Sequence, residues 1–175
     1  MLRKILLAGA ASLALAGTAA AGHDGPHVSD AQIAHIAYTA GQIDVEAARQ
    51  ALAKSRNAEV RAFAETMVRD HEAVNAQALA LVGKLGVTPE ANPTSAALSE
   101  GAAAKRRDLA ALDGAAFDRA YAENEVAFHR TVNGALETTL IPGAKNAELK
   151  SLLETGLTLF REHQGHAEHL AGELR

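Results

Sequence analysis

Side chains that can bind a metal ion recur inside four otherwise apolar stretches of the sequence. They are Asp44, His71, Glu125 together with His129, and His163. Carboxylate oxygens and neutral imidazole nitrogens are ligands that iron, zinc, copper and manganese accept from proteins. A buried charge or imidazole without a partner costs several kcal/mol, so such groups must pair with one another, with water or with a metal. If the four stretches meet in one interior, the sequence predicts a shared polar layer.

Two interpretations of this polar layer are open at the level of the sequence. In the first, the acids and imidazoles converge on a transition-metal ion, which would be iron, zinc, copper or manganese. In the second, the acids accept hydrogen bonds from the imidazoles, and the network only fixes helix register in a structural or stress-related protein. In either case we expect four further polar residues to support the layer: Asp70, Asp118, Tyr121 and Asn124.

The spacing of these residues argues against better-known kinds of site. A di-iron carboxylate site uses Glu-x-x-His on two helices and a glutamate from each of the other two. Val68 and Phe160 occupy the positions three residues before His71 and His163, so both motifs are broken. The sequence also lacks a Cys-x-x-Cys-His haem motif, a nucleophile elbow and a phosphate-binding glycine loop. No motif supports catalysis, and we expect a binding or structural protein rather than an enzyme.

Two further histidines, His166 and His169, follow His163 at intervals of three residues. Each interval of three turns a helix by about 60° away from the starting face. We therefore expect His163 to face the interior and the other two to lie in solvent.

Apolar residues spaced three and four apart predict four long helices that carry the candidate ligands. Each predicted helix begins at serine, asparagine or aspartate, the residue types that cap helix N-termini. The predicted bounds are Ser29 to about Ser55, Asn57 to Gly86, Asp113 to Pro142, and Asn146 onward.

The connection from Gly86 to Asp113 is far longer than the usual link between neighbouring helices of a bundle. Its segment from Ser95 to Leu112 is rich enough in alanine and charge to form a helix that travels the full length of the others. The predicted fold is therefore all-α: a ferritin-like four-helix bundle over residues 29–173, with a long helical crossover between the second and third core helices. In that fold the candidate ligands lie within roughly 10 Å of one another in height.

The first 21 residues have the pattern of a cleavable signal peptide. Arg3 and Lys4 precede an apolar stretch that ends in small residues at Ala19 to Ala21. This stretch is shorter than the ~20 residues of a membrane-spanning helix, and no other segment of the sequence approaches such a span. We expect cleavage, a disordered lead-in over residues 22–28, and an exported, periplasmic protein.

The amino-acid composition restricts which forces can stabilise the fold and which partners the protein is expected to bind. The chain has no cysteine, so apolar burial must stabilise the fold without disulfides. Removal of the signal peptide leaves 15 basic and 21 acidic residues, a net charge of −6. That charge argues against a nucleic-acid partner, which favours a basic face. A metal or small ligand is the expected partner, and the sequence indicates no protein partner.

Three groups of residues, taken in order, carry a family resemblance: Val60, Phe63, Ala64, Met67, Val68, Asp70 and His71; Phe117, Asp118, Ala120 and Tyr121 with Val126 and His129; and His163, Ala167 and Leu170. The pattern resembles the bacterial envelope family called domain of unknown function 4142, from about Asp30 to Leu170. The resemblance implies a ferritin-like bundle of the periplasm or outer membrane with no established activity. It also implies histidines at the three positions found here and, usually, a glutamate at the position of Asp44. We favour the periplasm because the sequence has no amphipathic strands.

Overall fold

The computed structural model describes residues 28–175, and helices account for most of that range. The predicted signal peptide at residues 1–21 lies outside the described residues, as does all of the predicted lead-in except Val28. Six α-helices and one π-helical turn follow one another: α1 (Asp30–Lys54), α2 (Ala58–Leu85), α3 (Pro93–Ala110), α4 (Gly114–Ala135), the π turn (Leu136–Leu140), α5 (Ile141–Gly143) and α6 (Ala147–Glu173). The described part of the chain contains no strand, which confirms the predicted all-α class. Within residues 28–175, no helix is both long and apolar enough to cross a membrane.

Polar side chains at the predicted N-caps start three of the long helices. The Ser29 side chain accepts a hydrogen bond from the backbone of Gln32, whose side chain accepts one from the Ser29 backbone in return. The amide oxygens of Asn57 and Asn146 accept hydrogen bonds from the first turns of α2 and α6. These bonds satisfy N–H groups that a helix leaves unpaired. α2 ends at Gly86, whose φ of 62° lies in the left-handed region that favours glycine.

Hydrogen bonds at both ends of α1 trace the path of the chain through α3. Just before α3, the backbone N–H of Glu90 donates to the carbonyl of Ala31, 3.0 Å away, near the start of α1. At the far end, Lys54 Nζ donates to the carbonyl of Ala110 at 2.9 Å. The helix α3 therefore runs alongside α1 in the same direction. It returns the chain to the end where α2 began, so α4 runs parallel to α2.

The last long helix starts beside the first. The Asp30 carboxylate accepts backbone hydrogen bonds from Lys145 and Asn146, each 2.8 Å long. Contacts between elements join α1 to α2, α3 and α4, and join α6 to α2 and α4. The helices α1, α2, α4 and α6 thus enclose one interior, while α3 lies against α1 and α4.

Two apolar clusters fill this interior, one toward each end of the helices. The first contains side chains from the end of α1, the start of α2, the start of α4 and the end of α6, among them Ala48, Ala51, Val60, Phe63, Met67, Phe117 and Leu170. The second contains side chains from the start of α1, the end of α2, the π turn and the start of α6, among them Ile33, Ile36, Val82, Leu136, Leu149 and Leu153. The candidate metal ligands lie between the two clusters along the helices.

The structure differs from the predicted bounds at two places. The crossover helix α3 begins at Pro93 rather than Ser95, because Asn92 caps it and proline fits the first turn of a helix. The third core helix was predicted to continue regularly to Pro142. It instead widens into the π turn from Leu136 to Leu140, a single-turn irregularity that often accompanies functional sites.

Candidate metal centre

The five predicted ligands come together in the middle of the interior. Asp44 comes from α1, His71 from α2, Glu125 and His129 from consecutive turns of α4, and His163 from α6. Each of these residues is at most 2% exposed. Apolar stripes on four helices therefore bury three imidazoles and two carboxyl groups in one layer.

The three imidazoles form the first group of ligand atoms. One ring nitrogen from each of His71, His129 and His163 lies within 4.8 Å of the corresponding nitrogens of the other two. Two ligands bound to one ion at about 2.1 Å can be at most about 4.2 Å apart. Shifts of less than about 1 Å therefore bring the three nitrogens to bonding distance of one ion.

The two carboxyl groups form a second group that shares His129 with the first. Ligand atoms of Asp44, Glu125 and His129 also lie within 4.8 Å of one another. Asp44 Oδ2 is 3.5 Å from His71 Nε2, and Glu125 Oε2 is 3.8 Å from His129 Nδ1. The acids are thus placed to add oxygen ligands or to neutralise a cation held by the imidazoles.

Hydrogen bonds fix which nitrogen of two rings is free to bind a metal. His129 Nδ1 is 3.0 Å from the backbone carbonyl of Glu125, which can only accept, so Nδ1 carries the proton. His163 Nε2 donates to Asp70 Oδ2 at 3.0 Å. The opposite nitrogens, His129 Nε2 and His163 Nδ1, are buried and have no hydrogen-bond partner, and neither nitrogen of His71 has one. Protein groups that orient the far side of a ligating ring in this way are typical of metal sites.

Asp70 links the cluster to the surface. Its carboxylate accepts two hydrogen bonds from the exposed guanidinium of Arg69, at 2.7 and 3.1 Å. The bonds from Arg69, and then the bond from His163, hold the pKa of Asp70 below its usual range. Asp70 is therefore an ionised acceptor that holds the His163 ring by its Nε2–H.

Burial keeps the imidazoles neutral. It lowers the pKa of His71 well below its usual range, lowers that of His163, and lowers that of His129 to about 4. The neighbouring imidazoles add to the effect at His71 and His129, because two cations cannot be close together without repulsion. Neutral rings present lone pairs to a metal without first losing a proton.

Burial has the opposite effect on the acids. It raises the pKa of Glu125 to about 7, and it raises that of Asp44 well above the usual range, with the nearby Glu125 charge adding to the shift. The two carboxyl groups are close enough to share a hydrogen bond, so one proton can serve both. A bound cation would replace that proton.

Phe160 is the neighbour that sequence reasoning missed. Its ring stacks on the His71 ring, with centroids 4.7 Å apart and planes 10° from parallel. It occupies the position where a di-iron site would have a glutamate, so the residue that breaks the motif instead covers one face of His71 with an apolar ring. The feature of the sequence that could have pointed to Phe160 is its position three residues before His163.

The other predicted supporting residues differ in whether they contact the cluster. Asn124 Nδ2 donates to Glu125 Oε1 at 3.4 Å. The Tyr121 hydroxyl is buried without a partner, and burial, with Glu125 and Asp44 near it, raises its pKa well above the usual range. Asp118 is buried on α4, but no hydrogen bond or ion pair joins it to the cluster within the described residues. His166 and His169 are exposed, as predicted.

A family comparison covers nearly the whole chain. The model of the family described as "Domain of unknown function (DUF4142)" matches residues 15–170, which confirms the resemblance seen in the sequence. Neither the curated proteins nor the solved structures contain a significant match to the chain.

Proposed function

We propose that this chain, which belongs to the family described as domain of unknown function (DUF4142), is an exported protein that binds one transition-metal ion among His71, His129 and His163. The observation that carries the proposal is the convergence of three buried imidazoles, each of which has at least one ring nitrogen without a protein partner. Asp44 and Glu125 lie beside them and supply oxygen atoms and negative charge. The proposal is for binding, and it includes no catalytic step.

The alternative is a polar network that only specifies how the helices pack. Such a network stabilises a fold when its members satisfy one another, because an unpaired buried polar group costs about 1–3 kcal/mol. Here His71 has two unpartnered nitrogens, and His129 and His163 each have one. These atoms belong to the same small region, which favours an ion as their common partner.

The chemistry of the ligands narrows the choice of metal. Imidazole nitrogens suit zinc, copper and iron, while carboxylate oxygens also suit manganese, and the chain has no cysteine to select a softer ion. Three neutral histidines with an acid nearby resemble the open three-histidine sets of zinc sites. We propose zinc or iron as the first ions to test, with copper and manganese as competitors.

Two features of the proposal concern where and how the chain works. The signal-like residues 1–21 support export to the periplasm. The crossover through α3 and the parallel course of α2 and α4 support a ferritin-like four-helix bundle, in which cofactor sites form between facing helices.

The direct test is metal content and metal titration. Protein purified from its native periplasm should carry about one metal ion per chain by elemental analysis. The His71→Ala variant should lose that ion, while His169→Ala, the same change at an exposed histidine, should keep it. A protein that purifies without metal and shows no heat of binding with zinc, iron, copper or manganese would contradict the proposal. The packing alternative instead predicts that His71→Ala lowers the melting temperature and leaves metal content unchanged.

A further inference from the structure

An apolar cavity lies between the helices, on the side of the candidate metal centre that faces the start of α1. Its volume is about 270 Å³. Side chains from α1, α2, α4, the π turn and α6 line it, and α3 contributes Thr94 and Leu98. Phe160, whose ring stacks on His71, also belongs to the lining. The cavity therefore comes within one side chain of the candidate metal centre.

The cavity is longer than it is wide. On α2 its lining residues run from Val74 to Val82, and on α6 they run from Leu149 to Phe160. At about 1.5 Å per residue these runs cover about 12 Å and about 16 Å of helix. The axes of packed helices are only about 8–10 Å apart, and side chains take up most of the space between them. The free space therefore extends along the helices.

The lining determines the chemical class of molecule that fits. None of the lining residues that the structure describes is charged, so an ionised group would enter without a counter-ion. Most of the lining consists of alanine, valine, leucine and isoleucine side chains. Walls of this kind give water few hydrogen-bond partners, and they favour an apolar occupant.

The size and the opening of the cavity restrict the occupant further. A cavity of about 150 Å³ with an apolar lining holds benzene, which has six carbon atoms. In proportion, the 270 Å³ here accept roughly ten carbon atoms. Thr94, Thr131 and Thr139 line the cavity and are also exposed, so the cavity reaches the protein surface beside them. A ligand can enter there and keep a neutral polar end in water.

We infer that this cavity binds one unbranched hydrocarbon chain of about eight to ten carbon atoms, with a neutral polar end near the exposed threonines. An extended chain matches a narrow space that follows the helices, whereas a compact ring of the same carbon number is too wide for it. This binding is additional to the proposed metal binding and does not depend on it.

A series of unbranched alcohols tests the inference: 1-butanol, 1-hexanol, 1-octanol, 1-decanol and 1-dodecanol. Binding is measured by isothermal titration calorimetry with a metal chelator present, so that a failure of the metal proposal leaves the result readable. Affinity should rise about fourfold for each added CH₂ group while the chain still enters the cavity. It should level off at about eight to ten carbon atoms, because further groups stay in water. Cyclooctanol, a ring of the same carbon number as 1-octanol, should bind at least about tenfold more weakly than 1-octanol.

A substitution in the cavity wall should change the chain length at which affinity levels off. Ala40 is buried and lines the cavity, and Ala40→Leu adds three carbon atoms to the wall. Because protein interiors are close-packed, affinity should then level off at a chain about three carbon atoms shorter. Ala53→Leu, the same change at an exposed position of α1, is the matched control and should leave the series unchanged.

Four results would overturn the inference. They are no saturable binding of 1-octanol, equal affinity for cyclooctanol and 1-octanol, affinity that still rises at 1-dodecanol, and an unchanged series in a folded Ala40→Leu variant. The first three are measured on the unsubstituted protein, so they decide the matter even if the variant fails to fold.

Discussion

Replacing Glu125 with glutamine should change how the stability of the metal-free protein depends on pH. The Glu125 carboxyl is 1% exposed, and burial raises its pKa from 4.5 to about 7. In the unfolded chain the group titrates near its ordinary value, so folding takes up a proton between these two pH values. The protonated Glu125 side chain therefore contributes to the free energy of unfolding. This contribution is fully present below about pH 4.5 and is lost as the pH rises through about 7.

The expected size of this effect follows from the two pKa values of Glu125. Their separation, at about 1.4 kcal/mol per pKa unit, corresponds to about 3 kcal/mol of stability lost between about pH 4 and pH 8. Glu125→Gln keeps the shape of the side chain and removes the titration. The free energy of unfolding of the variant should therefore rise by about 3 kcal/mol relative to the unsubstituted protein over that range.

His129 opposes Glu125 in the unsubstituted protein. Burial lowers its pKa from 6.5 to about 4, so its contribution is fully present above about pH 6.5 and is lost as the pH falls through about 4. Over most of the range between the two groups' pKa values the slopes cancel. The glutamine variant loses the Glu125 slope and keeps the histidine slope, so that its stability should rise with pH relative to that of the unsubstituted protein.

Urea unfolding followed by circular dichroism, at intervals from about pH 4 to about pH 8 with a chelator present, gives the required free energies. Glu123→Gln, at an exposed glutamate of the same helix, is the matched control for loss of a carboxylate. A difference between Glu125→Gln and the unsubstituted protein that stays constant across this range would refute the reasoning. It would mean that Glu125 does not retain its proton in the folded interior.

Three further predictions concern single contacts. Asp70→Asn should weaken metal binding by about 10–100-fold, measured by competition with a coloured chelator, because the His163 ring loses its charged acceptor; unchanged affinity would contradict that role. Gly41→Ala should lower the free energy of unfolding by about 1–3 kcal/mol, because its Cβ overlaps the Asn75 amide. Gly83→Ala, where a Cβ meets nothing within 4 Å, should instead raise it by up to about 1 kcal/mol, and equal effects of the two changes would refute the overlap. Asn146→Ala should cost about 1 kcal/mol in urea unfolding by removing the cap of α6, and a change of less than about 0.3 kcal/mol would count against it.

Sequence periodicity was sufficient to predict which side chains meet. Asp44, His71 and His163 each interrupt an apolar stripe, and a residue in such a stripe is expected to face the interior. Glu125 and His129 were expected only on the flank of the stripe of their helix, and the structure buries both. The long connection after Gly86 also indicated that α4 runs parallel to α2. The direction of each helix, together with the position of each residue along it, then placed the five side chains in one layer.

Contacts between helices depend on their relative rotation, which the sequence does not encode locally. Asp70 precedes His71 on α2 and was expected to support the layer, but its pairing with His163 depends on how α2 and α6 face each other. The stack of Phe160 on His71 depends on the same rotation. Asp118 was expected to join the layer and does not, because it lies nearly two turns before Glu125 on α4.

Two other features could not be predicted because they arise from local irregularity. The π turn changes the phase of the helix after α4, yet its sequence, Leu136–Leu140, contains no glycine or proline. The interior also holds an apolar cavity toward the start of α1, lined partly by small side chains such as Ala40 and Ala78. Their packing depends on the spacing between helices rather than on the pattern along any one of them.

The most direct test of the central claim is an anomalous diffraction measurement at the zinc absorption edge, on crystals of zinc-loaded protein. The account predicts one strong peak in the interior, about 2.0–2.1 Å from nitrogen atoms of His71, His129 and His163. A crystal with no interior peak, or with zinc bound only at the exposed His166 and His169, would contradict it.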